Sequence, residues 1–238
     1  AGGSALVAVE AKYYSGGALP NAEVTWQVST TPGHYSPPNW PDFIFGEWIP
    51  WWWGEIRYSY PWPGEETSFE TFSGKTDATG THYLELNFDQ KGEPDKEPRP
   101  VSVTAQATVM DVNRQAWSSS TALLVHPADV YIGLRSESYF VNRGDPLRVD
   151  FIVADLDGNP IAERRVTITA ARLEWKFNDG EWGEVEVDPQ SCEKFSAVDP
   201  GTCVFETPVG GSYQITAVVT DETGRINQTR FTRWVSGG

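Results

Sequence analysis

Gly16-Gly-Ala-Leu-Pro-Asn-Ala-Glu-Val24-Thr-Trp26 and Gly158-Asn-Pro-Ile-Ala-Glu-Arg-Arg-Val166-Thr-Ile168 can be laid on one another. Each holds a glycine turn and a proline, then opens a strand at Val-Thr. The strand ending at Asp111-Val-Asn-Arg114 lies in the same way on the one ending at Asp221-Glu-Thr-Gly-Arg225, with the alternating apolar positions in phase. A repeat of this kind predicts two copies of one sandwich domain.

On either side of the repeat, apolar residues recur at every second position. Val101, Val103, Ala105, Ala107 and Val109 form one such series, and Tyr213, Ile215, Ala217 and Val219 another. Period-2 alternation is the mark of a half-buried strand. No long stretch has helical i, i+3, i+4, i+7 spacing, and 22 glycines with 17 prolines punctuate the chain. The predicted fold class is all-β: two tandem antiparallel sandwiches of fibronectin/immunoglobulin type. The boundary is set at Leu123-Leu-Val-His-Pro127, where proline breaks a strand end, giving domains 1–127 and 128–238. Residues 32–63 read as a tryptophan-rich insertion in the first domain and residues 173–203 as a cysteine-closed insertion in the second. Residues 91–100 read as a solvated loop.

Charge excludes some function classes. The 238 residues hold 33 Asp and Glu against 18 Lys and Arg, a net charge of −15. A nucleic-acid binder needs a basic footprint to neutralise phosphates, and an anionic membrane surface would repel this chain for the same reason. About 45% of residues are apolar once glycine is counted, an ordinary globular proportion, so each half can bury a core. No apolar run approaches the roughly 20 residues of a membrane helix. The chain opens Ala-Gly-Gly-Ser with no initiator Met or signal peptide, and is expected to be a processed or excised piece.

Cys192 and Cys203 are the only cysteines, in neither a CxxC pair nor a histidine cluster. A structural disulfide in an oxidising compartment fits this pattern, with two buried thiols as the alternative. His34, His82 and His126 stand in no serine-hydrolase or zinc-protease motif. Asp155-Leu-Asp-Gly-Asn159 reads as a hairpin turn rather than a calcium loop, since position 166 holds Val where an EF-hand needs Glu. No catalytic residue, cofactor or metal is expected. Glu47, Glu55, Glu65 and Glu66 lie in or beside the tryptophan segment, but acidic residues are dense throughout the chain, so their proximity carries no glycosidase assignment. Asn227-Gln-Thr229 matches the N-glycosylation pattern, a weak signal.

Trp48, Trp51, Trp52, Trp53 and Trp62 are the candidate interaction surface. The expectation is that these rings fold down as a secondary core on their own domain, because several wet indoles would leave a large apolar patch. The alternatives are a surface that docks another domain and a sugar or peptide site.

The run Ala122-Leu-Leu-Val-His-Pro-Ala-Asp-Val-Tyr-Ile-Gly-Leu-Arg135, with Asp221-Glu-Thr-Gly-Arg-Ile-Asn227 and Trp234-Val-Ser-Gly-Gly238, resembles bacterial alpha-2-macroglobulins. Pro20-Asn-Ala-Glu-Val-Thr-Trp26, Phe45-Gly46 and Asp77-Ala-Thr-Gly80 look similar to one macroglobulin-type domain, and Asp157-Gly-Asn-Pro160 with the cysteine loop to the next. The resemblance implies a large periplasmic, cell-surface or secreted protease inhibitor built from serial sandwiches, whose partners are its own neighbouring domains and target proteases. The family's thioester needs Cys-x-Glu-Gln, whereas the cysteines here read Cys192-Glu-Lys-Phe195 and Cys203-Val-Phe-Glu206. The resemblance therefore implies a scaffold piece without bait region or thioester, and no enzyme. The alternative is a carbohydrate-binding or adhesin-type pair of sandwiches that uses the tryptophan segment.

Overall fold

The computed structural model describes residues 3–48, 67–88, 98–178 and 181–237. Among these residues every regular element is a β-strand. In chain order they are β1 (Ser4–Glu10), β2 (Glu23–Pro32), β3 (Ile44–Phe45), β4 (Ser68–Lys75), β5 (Thr81–Asn87), β6 (Val101–Met110) and β7 (Ala116–Val125), followed by β8 (Val130–Arg135), β9 (Phe140–Val141), β10 (Leu147–Asp155), β11 (Arg165–Asn178), β12 (Glu181–Phe195), β13 (Gly201–Phe205), β14 (Gly211–Thr220) and β15 (Ile226–Val235). They fall into two units. Of the described residues, 3–34, 67–88 and 100–126 form the first, and 35–48, 98–99, 127–178 and 181–237 form the second.

The first unit is a sandwich of a four-stranded sheet, β4-β2-β6-β7, and a two-stranded sheet, β1-β5, all antiparallel. Alternation builds it: Val24, Trp26 and Val28 of β2 point inward and are buried, while Thr25 and Gln27 point out. Trp26 sits opposite Ala107 in the ladder, and the small Ala105 and Ala107 leave room for the indole. Its ring N–H donates to His82 Nδ1 at 3.0 Å, which satisfies a buried donor. Gly74 is required here, because a Cβ at that position would lie 2.0 Å from the His82 ring.

The second unit pairs a four-stranded sheet, β13-β10-β8-β3, with a five-stranded one, β12-β11-β14-β15-β9. Its core holds Ile132, Leu134, Val149, Phe151, Ile168 and Phe231, all essentially solvent-free. Val166 pairs with Val219 as Val24 pairs with Val109, so the two halves of the quoted repeat open equivalent central strands, β2 and β11. All ladders are antiparallel except β15 with β9, where Trp234 and Val235 lie beside Phe140 and Val141.

Among the described residues one turn recurs four times. At Asp77, Asp111, Asp155 and Asp221 a carboxylate oxygen accepts the backbone N–H groups two and four residues on, at 2.8–3.0 Å. The fourth residue of each turn is left-handed: Gly80, Gly158 and Gly224 with φ of 81–84°, and Arg114 with φ 62°. Asp155–Asn159 is thus a turn of this family, and Asp77, Asp155 and Asp221 are held below the usual carboxylate range. For Asp77 the Thr79 hydroxyl is the main cause, and for Asp155 the Asn159 side chain is. Burial alone raises Asp221, but hydrogen bonds from Arg225, Thr223 and Asp129 outweigh it.

Two expectations about the insertions are corrected. Tyr35–Trp48, the described part of the tryptophan-rich insertion expected on the first domain, is folded into the second unit. The open edge of β8 offers unpaired backbone groups and a buried ring pocket that Ile44 and Phe45 fill. Residues 173–203 are no looped excursion either: they continue β11 and β12 as one long hairpin and then enter β13. The apolar phase moves from Val166, Ile168 and Ala170 to Leu173, Trp175 and Phe177, and the ladder to β12 shifts register between Ala170 and Arg172, yet period-2 spacing resumes and the strand continues.

Candidate interaction surface

Tyr35–Trp48 is seated by backbone and side chain together. Ile44 and Phe45 pair with Leu134 and Gly133, adding β3 to the sheet. Gly133 has to be glycine, since a Cβ would meet the Phe45 ring at 2.6 Å. Phe43, Phe45, Tyr131 and Ile152 form a small buried cluster, with Tyr35 and Trp40 packed on it. The Trp40 indole N–H donates to the Gly158 carbonyl at 3.0 Å, and the Tyr35 hydroxyl donates to the Leu156 carbonyl. Burial of the Tyr131 ring pushes its hydroxyl pKa well up.

The segment then crosses to the other sheet. Gly46, at φ 78°, donates to Thr229 Oγ1 at 2.9 Å and accepts from Arg230 N at 2.8 Å. Glu47 pairs with the Arg230 guanidinium at 2.7 Å. Trp48 is half-buried against Tyr139 and under Arg233, whose guanidinium also lies 3.9 Å from the centre of the Phe231 ring. Burial lowers the Arg233 pKa to about 10, so it stays cationic at neutral pH and is held by the three rings around it. Trp48 is thereby a packing residue of the second unit. Trp51, Trp52, Trp53 and Trp62 lie outside the described residues, as do Glu55, Glu65 and Glu66.

Cys192 and Cys203 are bonded, with Cα atoms 6.1 Å apart. Cys192 is on β12 and Cys203 on β13, edge strands of opposite sheets, so the bond staples the sandwich across its open side rather than closing a loop. Cys203 is buried in the core opposite Val149.

Two features escaped the sequence reading. One is the outer end of the β11–β12 hairpin. β14 pairs with β11 only up to Arg172, and from Leu173 onward β11 has only β12 as its neighbour. Trp175, Phe177 and Trp182 are exposed there on one face, with the Phe177 and Trp182 rings 5.6 Å apart. The other is the pair Asn227 and Thr229, within the glycosylation pattern. Both are buried: Asn227 Oδ1 accepts the Ile132 N–H at 2.9 Å, and the Thr229 hydroxyl donates to the Ile132 carbonyl at 2.5 Å. They clamp the backbone of β8, a role that depends on a strand nearly a hundred residues away.

No family model matches the sequence. Among solved structures the fold is similar to native alpha-2-macroglobulin of Escherichia coli, with TM-score 0.62 and 14% identity over 99% of this chain and 15% of that one. The trypsin-activated form of the same protein gives 0.63, with 15% identity over 99% and 16%. Alpha-2-macroglobulin of Salmonella gives 0.59, with 15% identity over 98% and 16%. Among curated proteins, circularly permutated Ras protein 2 of Dictyostelium discoideum is 26% identical over 180 residues, 72% of this chain. The chain spans 4% of that protein and about one sixth of the macroglobulins. The chain thus resembles bacterial alpha-2-macroglobulin in fold.

Proposed function

We propose that this chain is a two-sandwich piece of the scaffold of an alpha-2-macroglobulin-like protease inhibitor, structural and interacting rather than catalytic. The observation that carries the reading is the fold match over nearly the whole chain, both units together, to bacterial alpha-2-macroglobulins in more than one state. The Cys192–Cys203 bond supports an exported, oxidising location. No helix among the described residues is long and apolar enough to cross a membrane. The partners in this reading are the adjoining domains of the parent chain, with proteases as targets of the whole protein. Neither Cys192 nor Cys203 is free to form a thioester, and neither has the Cys-x-Glu-Gln context.

The mechanical logic follows from the second unit. A scaffold built from serial sandwiches needs stiff blocks. The disulfide across the sheets and the Asn227–Thr229 clamp on β8 supply stiffness within one block. The exposed Trp175, Phe177 and Trp182 offer an apolar face for a neighbouring domain.

The encoding reading frame tests this. Further sandwich repeats with a bait segment or a Cys-x-Glu-Gln are expected in it, and the 238-residue chain added to trypsin or elastase should leave their activity unchanged. A catalytic or wall-anchoring domain in place of those repeats, together with saturable glycan binding, would transfer the assignment to a carbohydrate-binding or adhesin pair.

A further inference from the structure

The two units can be matched strand by strand. β2 corresponds to β11 and β6 to β14 through the Val24–Val109 and Val166–Val219 pairs, and the Asp111 and Asp221 turns then set β7 on β15. β1 and β5 correspond to β10 and β13: each pair is the antiparallel ladder that leads, through Leu19 N to Ala11 O or Ile161 N to Val153 O, into the next central strand. In the second unit β10 has a further neighbour, β8, which packs across β14 and β15 and closes the core. Among the described residues the first unit has no counterpart of β8: its second sheet is β1-β5 alone.

The burial pattern shows the consequence. Val109 faces Trp117 in the ladder as Val219 faces Asn227, so Trp117, Ser119 and Thr121 stand where Asn227, Thr229 and Phe231 stand in the second unit. The latter three are at most 1% exposed, beneath or beside β8. Trp117 is 67% exposed, and every residue from Ala116 to Ala122 is exposed on both faces of the sheet. On the opposite sheet the inward residues of β1 are Ala5, Val7 and Val9, and only Val7 is fully buried. The β7 strand carries no charge, no proline and no glycine over its ten residues, so it lacks the usual devices that guard an edge.

We infer that the first unit, as its described residues form it, is a sandwich with an open strand slot, and that its occupant is an extended peptide strand with apolar residues at alternate positions, added antiparallel to the edge of β1 that no described strand pairs. The chemistry of the occupant is given by β8, whose Val130, Ile132 and Leu134 face the core of the second unit. Main-chain hydrogen bonds to β1 would supply most of the register, and apolar side chains over Trp117 and beside the inward Ala5 and Val9 of β1 most of the affinity. Ser119, the counterpart of Thr229, has the hydroxyl to donate to the strand's carbonyl as Thr229 does to Ile132. This inference rests on the comparison of the two units and is independent of the inhibitor reading.

A fluorescein-labelled synthetic peptide of residues 128–136, Ala-Asp-Val-Tyr-Ile-Gly-Leu-Arg-Ser, titrated with the 238-residue protein, tests it. Saturable binding is expected, competed by unlabelled peptide, with new amide-exchange protection in β1 and β7 and none in β10. The Ile132→Pro peptide, which lacks one strand N–H and breaks extended pairing, should bind at least about tenfold more weakly. Ser119→Lys in the protein sets a charge in the slot and should weaken binding about tenfold or more, with melting unchanged because Ser119 is exposed. Thr25→Lys, on the outer face of the same sheet, should leave binding as it was. Absence of binding at roughly 100 μM peptide, a Kd too weak for any useful strand addition, would overturn the inference. So would protection confined to the second unit, indifference to both Ile132→Pro and Ser119→Lys, or a dimer by light scattering that shuts the peptide out.

Discussion

The two units begin from one pattern and end with different degrees of closure. In the second, four strands face five, a disulfide joins the sheets and two buried polar side chains clamp β8. In the first, among the described residues, two strands face four, and the positions equivalent to the clamp are exposed. A period-2 repeat specifies which residues face inward without specifying whether anything covers them. Asn227 and Trp117 occupy equivalent inward positions, and only the presence of a neighbouring strand makes one a buried hydrogen-bonding group and the other a wet indole.

The contrast can be broken most forcefully at Phe45. Although it lies in sequence between β2 and β4, its ring is 2% exposed in the second unit. Phe45→Ala should cost about 3–5 kcal/mol, in line with large-to-small core changes. Amide exchange should accelerate across β8 and β10 and stay unchanged in β2 and β6. Faster exchange confined to β2 and β6 would contradict the placement of this segment.

The staple comes next. Replacing Cys192 and Cys203 by alanine removes a bond between residues 11 apart, worth about 3 kcal/mol in the chain-entropy model. The loss should appear in the second unit's denaturant midpoint and not in the first's. A smaller effect separates the clamp from its counterpart: Asn227→Ala leaves the Ile132 N–H unsatisfied in a dry core and should cost about 1–3 kcal/mol. Trp117→Ala, at an exposed position, should stay within about 0.5 kcal/mol. Equal costs at the two sites would mean that the first unit is as closed as the second.

Acid separates the units further. The folded Asp221 carboxyl is held below its ordinary value, so its contribution is complete above roughly pH 4 and is lost as pH falls through the lower, folded-state value. Asp221→Asn should therefore lower stability at neutral pH and flatten the acid limb of the second unit's stability curve, measured by denaturant titration at successive pH values. A small gain is expected at the one turn of these four without glycine. Arg114 holds φ 62°, and Arg114→Gly should stabilise the first unit by about 0.5–1 kcal/mol, read as a raised melting temperature.

Much of the fold was legible before any coordinates. Alternation in β6 and β14 marked central strands, the Asp-x-x-Gly spacings marked turns, and an even cysteine pair in a loop-rich region favoured a disulfide. The interaction surface was harder to read. Six of the eleven tryptophans cluster in residues 40–62, which drew attention to composition. Trp48 turns out to be packed beneath Arg233, whereas Trp175 and Trp182, scattered in sequence, are exposed on one hairpin. Alternation does mark Trp175 and Phe177 as sharing a face, but it cannot say that β14 ends before reaching them.

Local rules were enough for three things: strands, because inward and outward residues alternate with period 2; turns, because an aspartate can accept N–H groups two and four residues on; and the repeat, because both copies obey the same rules. Long-range pairing set which sheet receives Ile44 and Phe45, which polar residues become a clamp, and which inward positions of the described strands stay uncovered. Each of these depends on pairing between residues distant along the chain. The backbone donors and acceptors that make such pairs are the same at every residue, so the sequence carries no mark of which edge will be filled.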